Sequence, residues 1–156
     1  ITAFASFVVA TPLVMGASRA FFIIGSPIKS SASLNGQDIQ CSFDKGGTNI
    51  YWASVDDNIS RLSIDDGTST IDRQVLVSHF ASGIGTDTRS LYVNGSLGGK
   101  GNMVSLNLTA GISFGGIIGR GAQASLEYQS IIFFDSDQSA NKTAIETILN
   151  DYYGIY

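Results

Sequence analysis

The reactive groups in this chain are few, and their spacing decides which chemistry is open to them. Only two glutamates occur, Glu127 and Glu146, with eleven aspartates making up the rest of the thirteen acidic residues. Retaining glycoside hydrolysis needs a nucleophile and an acid whose carboxyls stand about 5–5.5 Å apart across the scissile bond. Glu127 lies in a segment that reads as a strand and Glu146 in one that reads as a helix, so no such pair is expected. Inverting chemistry with aspartates stays formally open. The sole histidine, His79, sits in Val75-Leu76-Val77-Ser78-His79-Phe80. No G-x-S-x-G elbow accompanies it. A Ser-His-Asp triad is defined by geometry rather than by order, and the plain reading is a histidine on a sheet face or at a strand end.

Oxygen-rich spacing raises calcium. Asp135, Asp137, Ser139, Asn141, Thr143 and Glu146 fall at positions 1, 3, 5, 7, 9 and 12 of an EF-hand-like loop. Ala140 stands where the sharp turn wants glycine, and a helix starting near Ser139 cannot wrap an ion. Helix capping is therefore preferred: Asp137 or Ser139 accepting free N–H groups, with acids favouring the helix N-terminus. Asp56-Asp57-Asn58 and Asp65-Asp66 are loop acid pairs at the two ends of one expected strand. They read as calcium candidates (Asp56, Asp57, Asp65, Asp66) or as ordinary turns.

Sugar binding needs an exposed aromatic to stack on a pyranose, with Asn or Asp beside it for the hydroxyls. The single tryptophan, Trp52, alternates out of phase with Tyr51, Ala53 and Val55 and adjoins Asp56, Asp57 and Asn58. These four residues are the ligand-binding candidates. The competing reading of Trp52 is a core residue, the commoner place for a tryptophan. Four sequons occur, at Asn58, Asn94, Asn107 and Asn141. Asn94 is better explained by a turn and Asn141 by a helix start. None of the glycine-rich stretches (Gly83 to Gly85, Gly98 to Gly101, Gly115-Gly116) follows the phosphate-loop pattern, and all read as turns. Cys41, the only cysteine, alternates with Ile39 and Phe43 and reads as a small buried strand residue. It excludes an intrachain disulfide and a cysteine metal cluster.

The elements that would position these groups are short strands. Apolar alternation predicts them near 2–10, 19–24, 38–44, 49–56, 59–65, 74–81, 88–93, 103–109, 112–119 and 126–134, with turn residues between. One helix follows residue 139. Its apolar stripe is Ala144, Ile145, Ile148, Leu149 and Tyr152, with Gly154 at the C-cap position. The stripe is expected to dock beside strand 126–134. Ile148 would then be a core residue; if exposed instead, the stripe would be a contact surface for a neighbouring subunit.

The chain has 156 residues, a net charge of −4 and 14% charged residues, with a mean hydropathy of +0.18. That is too apolar for disorder and large enough for one domain over 1–156. No basic run exists, which argues against nucleic-acid binding. The opening ITAFASFVVATPLVMG is too short and too broken by Pro12 to span a membrane. It also lacks a basic flank, so no membrane insertion is expected and a sandwich strand fits better. Because residue 1 is Ile rather than Met, the chain is expected to be processed or to be part of something longer.

Three motifs carry a family resemblance. Arg89-Ser90-Leu91-Tyr92-Val93-Asn94-Gly95 resembles the LYVNG hairpin of laminin-G-like, concanavalin A-like jelly-roll domains. Its Asn94-Gly95 pair also suits a type I′ turn on physical grounds alone. Ile117-Ile118-Gly119-Arg120 resembles the IG strand end of the same family. Ile131 to Tyr156, IIFFDSDQSANKTAIETILNDYYGIY, resembles the terminal strand–turn–helix of these domains, in wording found in bacteriophage fibre and virion-surface proteins and in bacterial surface proteins. The match is motif-level over 74–156 and architectural over 1–73.

The resemblance implies an all-β fold: a two-sheet antiparallel jelly-roll sandwich with one C-terminal helix. It implies a non-enzymatic fibre, decoration or adhesin domain on the virion surface. The partners would be other virion proteins, copies of itself and host surface glycans. Glucanases of this fold carry an E-x-D-x-E-like run, which is missing here. Laminin-G-like domains often bind calcium through loop Asp and Asn oxygens, but no ligand position aligns with this chain, and no other cofactor is expected. The alternative is a secreted bacterial carbohydrate-binding or carbohydrate-active domain.

Overall fold

The computed structural model describes residues 1–14, 19–25, 38–43, 50–55, 59–65, 72–103, 112–114 and 125–156. Ten strands run through them: β1 Phe4–Val14, β2 Arg19–Gly25, β3 Asp38–Phe43, β4 Ile50–Val55, β5 Ile59–Asp65, β6 Val75–Ala81, β7 Gly85–Val93, β8 Ser96–Met103, β9 Ile112–Phe114 and β10 Ser125–Phe134. A 3-10 turn at Ser139–Asn141 leads into the helix α1, Lys142–Tyr153. One five-stranded sheet has the order β10-β1-β6-β7-β8, the other β5-β4-β3-β2-β9. Every pairing is antiparallel. β5 lies against β7 and β8, so the sheets stack as a sandwich.

The hairpin between β7 and β8 is made by the turn chemistry expected of it. Asn94 and Gly95 take φ 48 and 77, the left-handed pair that a type I′ turn needs. The Asn94 side chain adds a second lock: its Oδ1 accepts the Leu76 N–H at 2.9 Å, while the Asn94 N–H donates to the Leu76 carbonyl. The turn thereby fastens β7 to the start of β6.

Three boundaries differ from the sequence reading, one of them the start of β7 at Gly85 rather than 88. β1 continues through Pro12 to Val14 because its pairing with β6 ends at Ala10, so Pro12 faces no β6 partner that needs its missing N–H. Gly98 to Gly101 are not a turn but part of β8. The hairpin register forces them into the sheet, where Gly99 pairs with Leu91 and Gly101 with Arg89. Glycine weakens a strand, and here two glycines stand opposite two large buried side chains. The expected strand 103–109 lies outside the described residues except at its first position, and the expected 112–119 beyond Phe114.

In the first five-stranded sheet the adjacent strands β1 and β6 are buried on both faces. Phe4, Val8, Val77, Leu91 and Val93 pack toward the second sheet, where they meet Ile39 and Leu62. Ala5, Phe7, Val9, Leu76 and Phe80 form the opposite face, covered by Leu149 of α1. β6 is consequently buried at all seven positions.

The docking face of α1 keeps Ile145 and Leu149 of the stripe read from sequence, but not Ala144, Ile148 or Tyr152. Leu149 is 7% exposed, but Ile148 is 67% and Tyr152 79% exposed. Ile145 and Tyr153 flank Leu149 in the same cluster instead. Glu146 is buried and takes Lys142 as its ion partner, Oε2 to Nζ at 2.6 Å; that ammonium also sits 4.0 Å from the centroid of the Tyr92 ring. One polar contact sets the helix rotation. The β1–β10 register steps from Val9 opposite Ser130 to Ala10 opposite Tyr128, leaving Gln129 as an extra, bulged residue. Tyr153 donates its hydroxyl to the Gln129 carbonyl at 2.9 Å.

Tyr153→Phe is therefore expected to cost about 1 kcal/mol in denaturant unfolding, the usual net value of such a bond. Unchanged stability would mean that water serves the bulge carbonyl equally well. At the far end of the helix, Gly154 takes φ 65 and closes it as the expected left-handed C-cap.

Candidate functional site

The second sheet separates its residues into two register rows. Ile39 pairs with Val55, and Cys41 with Ala53, which pairs in turn with Leu62. Ile39 and Leu62 are buried, so this row belongs to the sandwich interior. The alternate row carries a different composition. Trp52 stands between Ser42 on β3 and Ser63 on β5, and Ser54 pairs with Gln40. Gln40 continues to Ile23 of β2, which pairs with Ser113 of β9. By register alone, one face of this sheet carries Trp52 with Gln40, Ser42, Ser54, Ser63 and Ser113, and with the apolar Ala20, Ile23 and Ile50. A lone aromatic among hydroxyls and an amide is the chemistry of pyranose stacking with hydroxyl recognition.

Of the other ligand and calcium candidates, Asp65 ends β5, where it pairs with Ile50. Asp56, Asp57, Asn58 and Asp66 lie outside the described residues. Trp52 and Asp65 are placed here by register only.

The two glutamates sit on separate elements. Glu127 is exposed on β10. Glu146 is 4% exposed on α1 and bound to Lys142. The EF-hand-like stretch is helical from Ser139 onward. Asp137 accepts the Ser139 N–H through Oδ1 at 2.9 Å, so it supplies a helix-start acceptor as capping requires. Asn141 makes no side-chain cap bond, and its Nδ2 donates to Gln138 instead.

Among the described residues, His79 has no hydrogen-bond partner on either ring nitrogen. It is fully buried on the interior face of β6, in register with Ser6 on one side and Leu91 on the other. Phe4 meets its ring edge-on at 4.9 Å. Burial, with a smaller effect of the Arg89 guanidinium, holds the imidazole well below its ordinary value. A base so enclosed, with no nucleophile or orienting carboxylate bonded to it, is not a triad member. Arg89 itself is buried, and burial lowers its guanidinium to about 10. Its place was legible in principle, because it alternates with Leu91 and Val93 and so shares their face.

No protein-family model matches this chain, and no curated protein matches it. Solved structures do. The CBM40 domain of a Ruminococcus gnavus IT-sialidase, bound to α2,3 sialyllactose, superposes with a TM-score of 0.69 at 9% identity, covering 95% of this chain and 82% of that one. The receptor-binding domain of botulinum neurotoxin mosaic serotype C/D gives 0.64 at 15% identity, over 94% of this chain and 36% of that one. A heptameric SAP-like pentraxin from Limulus polyphemus gives 0.64 at 16% identity, over 92% and 69%. With the strand orders above, these similarities show an all-β, two-sheet antiparallel jelly-roll sandwich carrying a C-terminal helix.

Proposed function

We propose that this chain is a non-catalytic, concanavalin A-like carbohydrate-binding module, displayed on the exterior of a bacteriophage particle where it touches host surface glycans. The observation that carries the binding reading is the register row around Trp52, which places Gln40, Ser42, Ser54 and Ser63 near it, together with the apolar Ala20, Ile23 and Ile50. The sandwich superposes on a domain bound to sialyllactose, which supports a glycan as the ligand class. The virion setting rests on the resemblance of Ile131 to Tyr156 and of the LYVNG hairpin to fibre and virion-surface proteins. In that setting other virion proteins, or further copies of the chain, hold it. A secreted bacterial carbohydrate-binding domain would use the same face, and recovery of the chain from purified particles separates the two.

The test is a glycan array with sialylated and neutral glycans, run on the wild-type chain and on Trp52→Ala. Binding is expected to fall at least tenfold in the variant, about 1.4 kcal/mol, with thermal unfolding preserved. Repeating the array with EDTA decides whether Asp56, Asp57, Asp65 and Asp66 hold a calcium ion that binding needs. No turnover of any bound glycan is expected. Hydrolysis abolished by replacing Glu127 or Glu146 would overturn the non-catalytic reading. Binding unchanged in Trp52→Ala would remove the face from consideration.

A further inference from the structure

The sandwich interior holds a polar row that no binding role uses. Ser6 on β1 pairs directly with His79 on β6, and Arg89 on β7 pairs with Ala81, two residues further along the same strand. All three side chains are buried. The Ser6 hydroxyl and both imidazole nitrogens lack hydrogen-bond partners, in a protein interior where such groups are normally satisfied. Among the described residues, Phe4 packs against the ring, and Val8, Val77, Leu91 and Met103 belong to the same cluster.

We propose that this row is an acid-sensitive latch, in which protonation of His79 loosens β1, β6 and β7 from the opposing sheet. The physical reason is local. A neutral imidazole with no partners costs a desolvated donor and acceptor, which the packing of Phe4 offsets. An imidazolium there would be a buried cation with no bonded acceptor beside a second buried cation, Arg89. Among the described residues of this cluster, β10 brings the phenol of Tyr128, and Ile1, just before β1, brings the N-terminal ammonium; β1 and β8 bring only apolar side chains. From the opposing sheet, Tyr51 of β4 shares the interior register row of Ala53, Arg61 of β5 lies at the register shift between β4 and β5, and Asp65 pairs with Ile50 in the outward row.

The sign follows from linkage. The folded state holds His79 neutral while the unfolded chain protonates it near its ordinary value of about 6.5. Stability is therefore whole above that value and falls as pH drops below it, down to the folded-state value. Between pH 7.5 and 5.5 the folded-to-unfolded ratio is expected to fall about tenfold from this one group, ~1.4 kcal/mol. Carboxylates titrate lower and contribute little in that window.

The experiment is denaturant unfolding of the wild-type chain and of His79→Leu at pH 7.5, 6.5 and 5.5. The wild type should lose stability below pH 6.5, and the variant should be flat across the window. A wild type equally stable at 7.5 and 5.5, or a variant showing the same loss, overturns the proposal. Should His79→Leu fail to fold, NMR titration of the wild type gives an independent answer, since the chain has one histidine and its ring signals are unambiguous. The native ring should not titrate between pH 7.5 and 5.5. A native ring titrating near 6.5 would show that the imidazolium is tolerated and that no latch exists.

Discussion

Phe80→Ala is expected to lower the unfolding free energy by ~3–5 kcal/mol, the range for emptying a buried aromatic site. Phe80 is 1% exposed, yet it does not belong to the layer between the sheets. It stands on the opposite face of β6, in the cluster closed by Leu149 of α1. Its ring meets Phe7 edge-on at 5.3 Å and Tyr92 at 5.8 Å, and Phe7 in turn meets Phe134 at 6.3 Å. The cavity left by its removal could close only if α1 sank toward the sheet. Tyr153 holds the helix at the Gln129 carbonyl and opposes that movement, so the cost should fall high in the range. Phe7→Ala combined with Phe80→Ala should depart from additivity by ~0.5–1.5 kcal/mol, as touching aromatic pairs do. Denaturant unfolding at unchanged m-value is the measurement. A loss below about 1 kcal/mol would show that water already reaches this face and that the helix does not roof it.

The fold was legible in the sequence wherever a local rule and the global arrangement agreed. Alternation placed β2 to β6 within a residue or two of their observed bounds. Asn94-Gly95 and Gly154 were readable because only left-handed backbone satisfies a type I′ turn and a helix C-cap, and both glycines adopt it. Reading failed where pairing overrode composition. Gly98 to Gly101 have turn chemistry, but the hairpin register draws them into β8 opposite Leu91 and Arg89. β6 hid its two-faced burial for a related reason. Val75, Val77 and Ala81 alternate with Leu76 and Phe80, so the segment shows no polar face, and nothing local says that a helix covers one side and a second sheet the other.

The candidate site was legible in one respect. The parity of Trp52 against Tyr51, Ala53 and Val55 follows from strand periodicity, and the register carries the same parity across to Ser42 and Ser63. The serine and glutamine neighbours were not legible, because they come from other strands, and which strands adjoin is a matter of topology. Arg89 was passed over for a different reason. A scattered cation is normally a solvated one, and its parity with Leu91 was the single contrary sign. For His79 the sequence offers a histidine on a sheet face or at a strand end, and the structure puts it on a sheet face. Its isolation from any hydrogen-bond partner depends on what β1 and β7 place beside it.

The helix gives the sharpest contrast between two neighbouring residues. Leu149→Ala is expected to cost ~2–5 kcal/mol, as for a buried leucine, while Ile148→Ala should fall within about 0.5 kcal/mol of the wild type. Two apolar stripes run along α1, Ile145–Leu149–Tyr153 and Ala144–Ile148–Tyr152, and hydrophobic spacing alone cannot choose between them. The sheet chooses by polar complementarity. Rotating the helix by roughly a quarter turn to bury Ile148 would pull the Tyr153 hydroxyl from the Gln129 carbonyl and Lys142 from the face of Tyr92. The bulge would then lose its donor, and a buried Glu146 would lose the surroundings in which Lys142 reaches it. At the exposed Ile148 position alanine is also the better helix former, so the substitution could even raise stability slightly. The pair is read by parallel denaturant titrations of the two variants. A larger loss at Ile148 than at Leu149 would mean that the helix docks through the Ala144–Ile148–Tyr152 stripe, and that the Tyr153–Gln129 contact does not set its rotation.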